Sequence, residues 1–309
     1  MKPTTAAPPP PMAPADPATV TGPGPARTRA VSWRGLGTVA AVVLLVGGLL
    51  AAGLFWVGGG RWFVTQSPSM GTAAPVGTLI LTQPAQVSDL VVGDVIAFHP
   101  PTDPAQTYTH RVVALFDGHA TTRGDLNGAA DPWQVTDRDL IGRAVLVAPG
   151  WGWLARALPL LVLGFAVVWG LARLWLRPDR RGPALLVGAC LVIAVVVLLL
   201  RPFVGVTELT ATTDAGVTQI AVVSTGLLPI SIAPIPGHGQ AEPVALRSGE
   251  AGTVHLTQAP ADGEYALTAS LDLSRIGWLI ALLICALPLL CVLLIGFPPA
   301  APTRAAAAP

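Results

Sequence analysis

The stretch LGTVAAVVLLVGGLLAAGLFWV, residues 36–57, contains no charged side chain. As a helix it would be about 33 Å long at a rise of about 1.5 Å per residue, which is enough to cross the hydrocarbon core of a bilayer. The chain continues into Gly58-Gly59-Gly60-Arg61-Trp62, whereas a cleavable leader would end in a small-residue cleavage site. The stretch therefore predicts an uncleaved membrane anchor, transmembrane helix 1.

The composition of the whole chain agrees with this interpretation. Of its 309 residues, 52% are hydrophobic and 11% are charged, and the mean hydropathy is +0.62. Soluble proteins carry about 25% charged residues. Three further apolar runs predict transmembrane helices 2, 3 and 4 at residues 151–172, 183–200 and 276–297.

Charge and cysteine content exclude several classes of protein. The net charge is +1 and the 18 basic residues are spread along the chain, so no polyanionic partner is indicated and nucleic acid binding is not expected. Cys190, Cys285 and Cys291 all lie within the apolar runs, where a thiol acts as a small hydrophobic group. They indicate neither a disulfide framework nor a metal site.

Arginines near the ends of the apolar runs predict the orientation in the membrane. They precede helix 1 (Arg27, Arg29, Arg34) and crowd the short basic turn at residues 173–182 (Arg173, Arg177, Arg180, Arg181). Both termini should therefore be cytoplasmic, as a disordered tail rich in proline and alanine at residues 1–35 and a short tail at residues 298–309. The protein is expected to be a multi-pass protein of the cell membrane.

Two segments are then left on the extracytoplasmic side. Residues 58–150 contain the strings LILTQ, DVIAFH, THRVVALF and LIGRAVLVA, which are short β-branched runs separated by turn residues and predict a compact, mainly-β domain. Residues 201–275 are rich in threonine and valine and predict a second, small β-sandwich-like domain. The expected fold class is a mixed membrane protein with about four transmembrane helices and these two β-domains.

Candidate catalytic residues lie in the first of these domains. Ser67-Pro68-Ser69-Met70 follows helix 1 by about ten residues, which would put a serine nucleophile at the outer membrane face. A serine hydroxyl needs a base to take its proton. The only lysine of the chain is Lys2, on the predicted opposite side of the membrane, so a Ser-Lys pair is excluded. The candidate bases are His99, His110 and His119.

Among these histidines, His110 is the strongest candidate. Strand alternation in Tyr108-Thr109-His110-Arg111-Val112-Val113 places its side chain on the opposite face from Thr109 and Arg111. His99 and His119 stand beside turn residues and are expected to have structural roles. A histidine base needs an acceptor that holds its tautomer, and both Asp125 and Asp131 are near in sequence.

Five blocks, taken together and in this order, resemble the signal peptidase I family in its endoplasmic-reticulum and archaeal form, which bacteria also contain. They are Ser67-Pro68-Ser69-Met70, Val92-Gly93-Asp94-Val95-Ile96-Ala97-Phe98, Thr109-His110-Arg111-Val112-Val113, Arg123-Gly124-Asp125 with Asp131 six positions on, and Leu140-Ile141-Gly142-Arg143-Ala144. Much alanine, proline, glycine and arginine with a single lysine suggests a bacterial, GC-rich source.

The resemblance implies specific roles. Ser69 is then the nucleophile and His110 the general base, Asp131 is the third member of the triad, and Asp125 has a supporting or alternative role. The hydroxyl of Ser67 is then an oxyanion donor beside the backbone N–H of Ser69. Pro68 replaces the glycine usual between the two serines, which puts the family's substrate preference in doubt.

The function implied by the resemblance is a membrane-bound signal peptidase I. It would remove signal peptides from exported pre-proteins, cutting after small residues at positions −1 and −3 by acyl-enzyme hydrolysis. Its partners would be these signal peptides and the lipid bilayer, with a possible envelope partner for residues 201–275. No cofactor or metal is implied.

Two alternatives stay open. One is a non-catalytic envelope protein that keeps only the peptidase-like scaffold, although the joint presence of Ser69, His110, Asp125 and Asp131 counts against it. The other is a signal peptidase dedicated to a restricted set of surface proteins. Three further helices and a second β-domain, more than general signal cleavage needs, favour this narrower enzyme.

Overall fold

The computed structural model describes residues 33–214, 217–237, 240–257 and 265–295. The predicted tails lie outside these ranges, except for residues 33–35. The chain divides into two compact units, Met1–Gly53 and Leu54–Pro309. The helices are α1 (Trp33–Val57), α2 (Trp151–Trp175), α3 (Pro178–Leu200) and α4 (Arg275–Ile295).

The segment of the chain that follows α1 and precedes α2 forms a six-stranded antiparallel sheet. Its spatial order is β1-β2-β6-β3-β4-β5, so β1 and β5 lie at the edges. Asp117 and Gly118 both have positive φ and join β4 to β5 in a two-residue turn, as Asp-Gly sequences favour. The strands are β1 (Arg61–Val64), β2 (Leu79–Gln83), β3 (Val95–Phe98), β4 (Tyr108–Phe116), β5 (His119–Arg123) and β6 (Leu140–Ala148).

Apolar residues of these strands form the core on which the sheet packs. Ile96, Phe98 and Val112 are buried together with Val135, which lies beyond β5. A second small cluster joins Met70 and Ala74 to Ile80 of β2. The strings that predict strands in the sequence correspond to β2, β3, β4 and β6, and the mainly-β character of this segment is therefore confirmed.

The region after α3 contains two further sheets of three strands, named here the β7–β12 region. Their orders are β11-β8-β7 and β10-β9-β12. Both sheets contribute to one apolar core, since Ile220 and Val254 from the first sheet pack with Ile230 and Ile232 from the second. The strands are β7 (Val206–Asp214), β8 (Val217–Ser224), β9 (Ile230–Pro234), β10 (Val244–Leu246), β11 (Ala251–Leu256) and β12 (Leu267–Leu271).

The described residues include two helices long and apolar enough to cross a membrane, α2 and α3. Within the described residues of α1 and α4, the apolar helical stretches are shorter and cover Val42–Val57 and Arg275–Leu287. Helices α2 and α3 are joined by residues 176–177 alone, a shorter connection than the predicted turn at 173–182. The difference arises because α3 begins with Pro178, whose ring suits the first position of a helix.

Candidate active site

Ser69 lies in a tight turn between β1 and β2. The N–H of Gly71 donates to the carbonyl oxygen of Pro68 at 2.8 Å, and Met70 has φ −91° and ψ 3°, as in the third position of a type I turn. Met70 is buried in the cluster with Ala74 and Ile80. This anchored methionine holds the neighbouring Ser69 at the surface, where its side chain is partly exposed.

A second loop, which follows β5, holds Ser69 from the other side. The N–H of Leu126 donates to the carbonyl oxygen of Ser69 at 2.8 Å. Gly124 is so close that a Cβ atom placed on it would lie 2.9 Å from both Cβ and the carbonyl oxygen of Ser69. Real Cβ atoms essentially never approach so closely. The segment between β1 and β2, residues 65–78, is named here the serine loop, and only a glycine at position 124 leaves room for it.

His110 is held rigidly because it lies within an interior strand. Strand β4 pairs with β3 on one side, where His110 lies opposite Ile96, and with β5 on the other. As alternation predicts, His110 and Val112 are buried while Thr109 and Arg111 are partly exposed. The imidazole ring also contacts the aromatic rings of Phe98 and Tyr108, with centroid distances of 6.2 and 5.6 Å.

The imidazole ring of His110 links Ser69 to Asp131. Nε2 lies 3.1 Å from Oγ of Ser69, and Nδ1 lies 2.7 Å from Oδ2 of Asp131. With its proton on Nδ1, the ring donates to the carboxylate and accepts from the serine hydroxyl. Each of the two side chains, His110 and Asp131, is 6% exposed, so this charge-assisted pair is shielded from water.

Asp131 is itself fixed by Thr122 of β5. The Thr122 hydroxyl donates to Oδ2 of Asp131 at 2.6 Å, and the N–H of Asp131 donates to the carbonyl oxygen of Thr122 at 2.8 Å. Thr122 is fully buried. A buried carboxylate is costly unless it accepts hydrogen bonds, and here Thr122 and His110 both donate to the same oxygen.

Asp125 is directed away from this hydrogen-bonded chain. Its two carboxylate oxygens accept from Nε and Nη2 of Arg111 at 2.9 and 2.7 Å. The hydrogen bond that Arg111 donates to Asp125 raises the pKa of Arg111 above its ordinary value. Since Arg111 and His110 point to opposite faces of β4, the structure brings Asp131, and not Asp125, to His110.

Ser67 approaches the nucleophile candidate directly. Its Oγ lies 3.1 Å from Oγ of Ser69. When the Ser69 hydroxyl donates to His110, the hydrogen that joins the two serines must come from Ser67. The Ser67 hydroxyl is therefore a hydrogen-bond donor next to Ser69 Oγ.

A groove of about 770 Å³ opens beside these residues. It is lined by residues 62–67, which include most of β1, and by residues 105–110, which lead into β4. Three strands separate β1 from β4 in the sheet, so the groove joins segments that are not neighbours in the sheet. Ser67, Ser69 and His110 all line it.

The other candidate histidines lie elsewhere. Nδ1 of His99 lies 2.7 Å from the carbonyl oxygen of Gln106, and His119 is the first residue of β5. Over the described parts of the chain, the acidic, cysteine and histidine side chains form no group of three that could hold a metal ion.

Two residues of the site, Thr122 and Gly124, are absent from the roles that the sequence predicts. Gly124 belongs to the Arg123-Gly124-Asp125 block of the family resemblance, and Thr122 lies immediately before that block. The alternation of β5 could have placed Thr122 on the buried face, because a polar residue that faces a core needs a partner. For Gly124, no signal in the sequence indicates which residue approaches it.

Comparison with known families gave a match to part of the chain. Residues 36–119 match the family model described as "Signal peptidase, peptidase S26". The matched segment covers about a quarter of the chain and contains Ser69 and His110, but it ends before Asp125 and Asp131. The match supports the resemblance to signal peptidase I and a signal peptidase function at the level of the family. The curated proteins and the solved structures compared with the chain gave no match.

Proposed function

We propose that the protein is a membrane-bound serine endopeptidase that removes signal peptides, with Ser69, His110 and Asp131 as its catalytic residues. The observation that carries the proposal is the hydrogen-bonded chain from Ser69 Oγ through the His110 ring to Asp131 at the wall of an open groove. This is the nucleophile, base and orienting acceptor that acyl transfer requires.

In the proposed mechanism, Ser69 Oγ attacks the scissile carbonyl carbon while its proton moves to Nε2 of His110. Asp131 stabilises the resulting imidazolium. The Ser67 hydroxyl and the N–H of Ser69 donate to the developing oxyanion. The C–N bond then breaks, and His110 protonates the leaving amine. Water, deprotonated by His110, then attacks the acyl carbon. The ester bond to Ser69 breaks as His110 returns the proton to Ser69 Oγ, and the acid is released.

The groove lies next to the end of α1, and this position supports a substrate whose chain emerges from the membrane. Trp62 at the groove wall packs on Trp56 in the last turn of α1, with a centroid distance of 5.2 Å. Arg61 lies over the Trp56 ring at 4.5 Å. Aromatic and basic side chains at a helix end are typical of the membrane interface. A signal peptide in the bilayer would therefore present its carboxyl-terminal end to Ser69.

We also propose the predicted membrane topology. Four helices would cross the bilayer, with both termini cytoplasmic and with residues 58–150 and 201–275 outside. Apolar side chains that cover α2 and α3, such as Leu163 and Leu198, are exposed and would contact lipid. An envelope partner of residues 201–275 stays a prediction. Labelling by a membrane-impermeant maleimide tests the orientation, since Gly128→Cys should react in intact cells and Arg180→Cys should not.

The function is tested by incubating the purified protein with a synthetic pre-protein in detergent and determining the products by mass spectrometry. The intact protein should create one new mature N-terminus after small residues at −1 and −3. His110→Ala should create none. His119→Ala is the matched control, because His119 begins β5 and is not among the residues that line the groove. Equal cleavage by His110→Ala and the intact protein would refute the assignment.

A further inference from the structure

The β7–β12 region touches the loop that carries Ser69. The contact is made by the turn between β10 and β11, at Gly249. A Cβ atom placed on Gly249 would overlap the carbonyl oxygen of Gly71 and would lie 2.9 Å from Cγ of Pro75. Gly249 is buried, although Arg247 and Glu250 on either side of the turn are exposed. The backbone of this turn is therefore packed directly against the segment that begins two residues after Ser69.

The turn that makes this contact is firmly held. The N–H of Glu250 donates to the carbonyl oxygen of Arg247, and a carboxylate oxygen of Glu250 accepts from the N–H of Arg247, both at 2.9 Å. The turn is also bonded to the end of β8, because Gly249 N–H donates to Ser224 O at 2.8 Å and Ser224 N–H donates to Glu250 O at 3.0 Å. Ser224 is fully buried, so the turn moves only with the β7–β12 core.

The serine loop also contacts Leu126, in the loop that follows β5. A Cβ atom placed on Gly71 would lie 3.0 Å from Cγ of Leu126 and 3.5 Å from the carbonyl oxygen of Gly249. Leu126 is the residue whose N–H donates to Ser69. Gly71 has φ +51°, so the chain reverses here between two fixed surfaces. Displacement of either surface would shift Ser69 relative to His110.

A second contact joins the β7–β12 region to the start of α2. A Cβ atom placed on Gly150, which caps the start of α2, would lie 3.2 Å from Cδ2 of Leu227. The N–H of Gly152 in α2 in turn donates to the carbonyl oxygen of Gly77, close to β2. Two separated contacts restrain rotation better than one.

From these contacts we infer that the β10–β11 turn, through Gly249, is a positioning element that keeps Ser69 Oγ within hydrogen-bonding distance of His110 Nε2. The inference rests on the proposed peptidase function. It gives the β7–β12 region a role within the catalytic unit, separate from any binding of substrates or envelope proteins. Gly249 touches no substrate and acts only through the loop at Gly71.

The test compares Gly249→Ala with Gly237→Ala in the full chain. Both glycines lie in turns of the β7–β12 region and have positive φ, +75° and +91°, so alanine causes similar backbone strain at each. Among the described residues, none comes within 4 Å of a Cβ atom placed on Gly237, its chain neighbours apart, whereas a Cβ atom on Gly249 would overlap Gly71. Gly249→Ala should lower kcat about tenfold or more with KM changed less than about twofold, since small misplacement of reacting groups is costly. Gly237→Ala should keep the kcat of the intact protein.

A second readout separates this inference from the peptidase proposal. In a Ser69→Cys background, the rate of alkylation of residue 69 by iodoacetamide, measured by mass spectrometry, reports thiolate formation promoted by His110. Gly249→Ala should slow this alkylation several-fold and Gly237→Ala should not, whether or not pre-proteins are cleaved. Equal alkylation rates in the two variants would overturn the inference.

A gentler variant covers the case in which Gly249→Ala does not fold. Glu250→Ala removes the exposed carboxylate that holds the turn and adds no atom to the interface. It should reduce the alkylation rate in the same direction by a smaller factor. An unchanged rate in Glu250→Ala, with Gly249→Ala unfolded, would also overturn the inference.

Discussion

The two β regions of this protein have similar apolar cores but differ in what their buried polar side chains contact. The β7–β12 core consists of valine, isoleucine and leucine from two facing sheets. The six-stranded sheet also has an apolar core, yet beside it His110 and Thr122 are buried, each hydrogen-bonded to Asp131. Burying polar groups costs stability unless each finds a partner. Buried polar side chains occur in both regions, since Thr218 and Ser224 of β8 are also buried. The six-stranded region differs because two of its buried polar side chains, His110 and Thr122, converge on one carboxylate.

The same contrast distinguishes the two aspartates beside the site. The Asp131 side chain is 6% exposed and bonds to His110, while Asp125 is 29% exposed and pairs with Arg111. An exposed ion pair contributes about 1 kcal/mol or less, whereas a buried acceptor can control the tautomer of a catalytic histidine. The contact with His110, and not distance along the chain, distinguishes Asp131 from Asp125.

The largest effect is expected when the buried carboxylate is changed. Asp131→Asn should lower kcat for pre-protein cleavage by about 10⁴-fold, because the wrong tautomer of the base is then favoured. Asp125→Asn, the matched control, should lower it by less than about tenfold, since it weakens only an exposed pair. Cleavage rates at saturating substrate measure both. Equal losses would mean that the difference in burial between the two carboxylates has no catalytic meaning.

A smaller but still large effect is expected from the packing beneath Ser69. Gly124→Ala places a methyl group against Cβ of Ser69 and should lower kcat by about 10²-fold through misplacement of the nucleophile. Gly128→Ala, in the same loop, meets open space and should have the activity of the intact protein. If both variants cleave normally, the serine loop is more adaptable than its contacts indicate.

The smallest effect on cleavage is expected in the apolar core of the β7–β12 region. Ile232→Ala should reduce the free energy of unfolding of this region by about 2–5 kcal/mol through lost burial and a cavity. At temperatures where the variant stays folded, its cleavage rate should remain within about twofold of the intact protein. Thermal unfolding followed by circular dichroism gives the first quantity. A large loss of cleavage in fully folded Ile232→Ala would remove the distinction between the two regions.

Local patterns in the sequence predict much of this architecture. Strands β2, β3, β4 and β6 follow from short β-branched runs between turn residues. No such run predicts β1 or β5, because RWFV contains a single β-branched residue and HATTR is mostly polar. Both become strands through pairing with a longer neighbour, β2 or β4. Such tertiary pairing leaves little trace in a short segment.

The site shows the same limit. The order of its motifs indicates Ser69 and His110, but proximity in sequence leaves both Asp125 and Asp131 as partners. The two side chains point in different directions because the chain turns between them. The N–H of Asn127 closes this turn by donating to the carbonyl oxygen of Gly124. The contact of Gly249 with the serine loop joins residues far apart in the chain. Only the assembled fold shows which distant glycine meets the nucleophile loop.

The most direct test of the central claim compares the two neighbouring serines, whose oxygens lie 3.1 Å apart. Cleavage of one synthetic pre-protein is timed with the intact protein, Ser67→Ala and Ser69→Ala. Ser69→Ala should leave no cleavage above the uncatalysed rate, because it lacks the nucleophile. Ser67→Ala should retain a measurable rate, lowered about 10²- to 10³-fold by the loss of one oxyanion donor. Cleavage by Ser69→Ala at the rate of the intact protein would contradict the account.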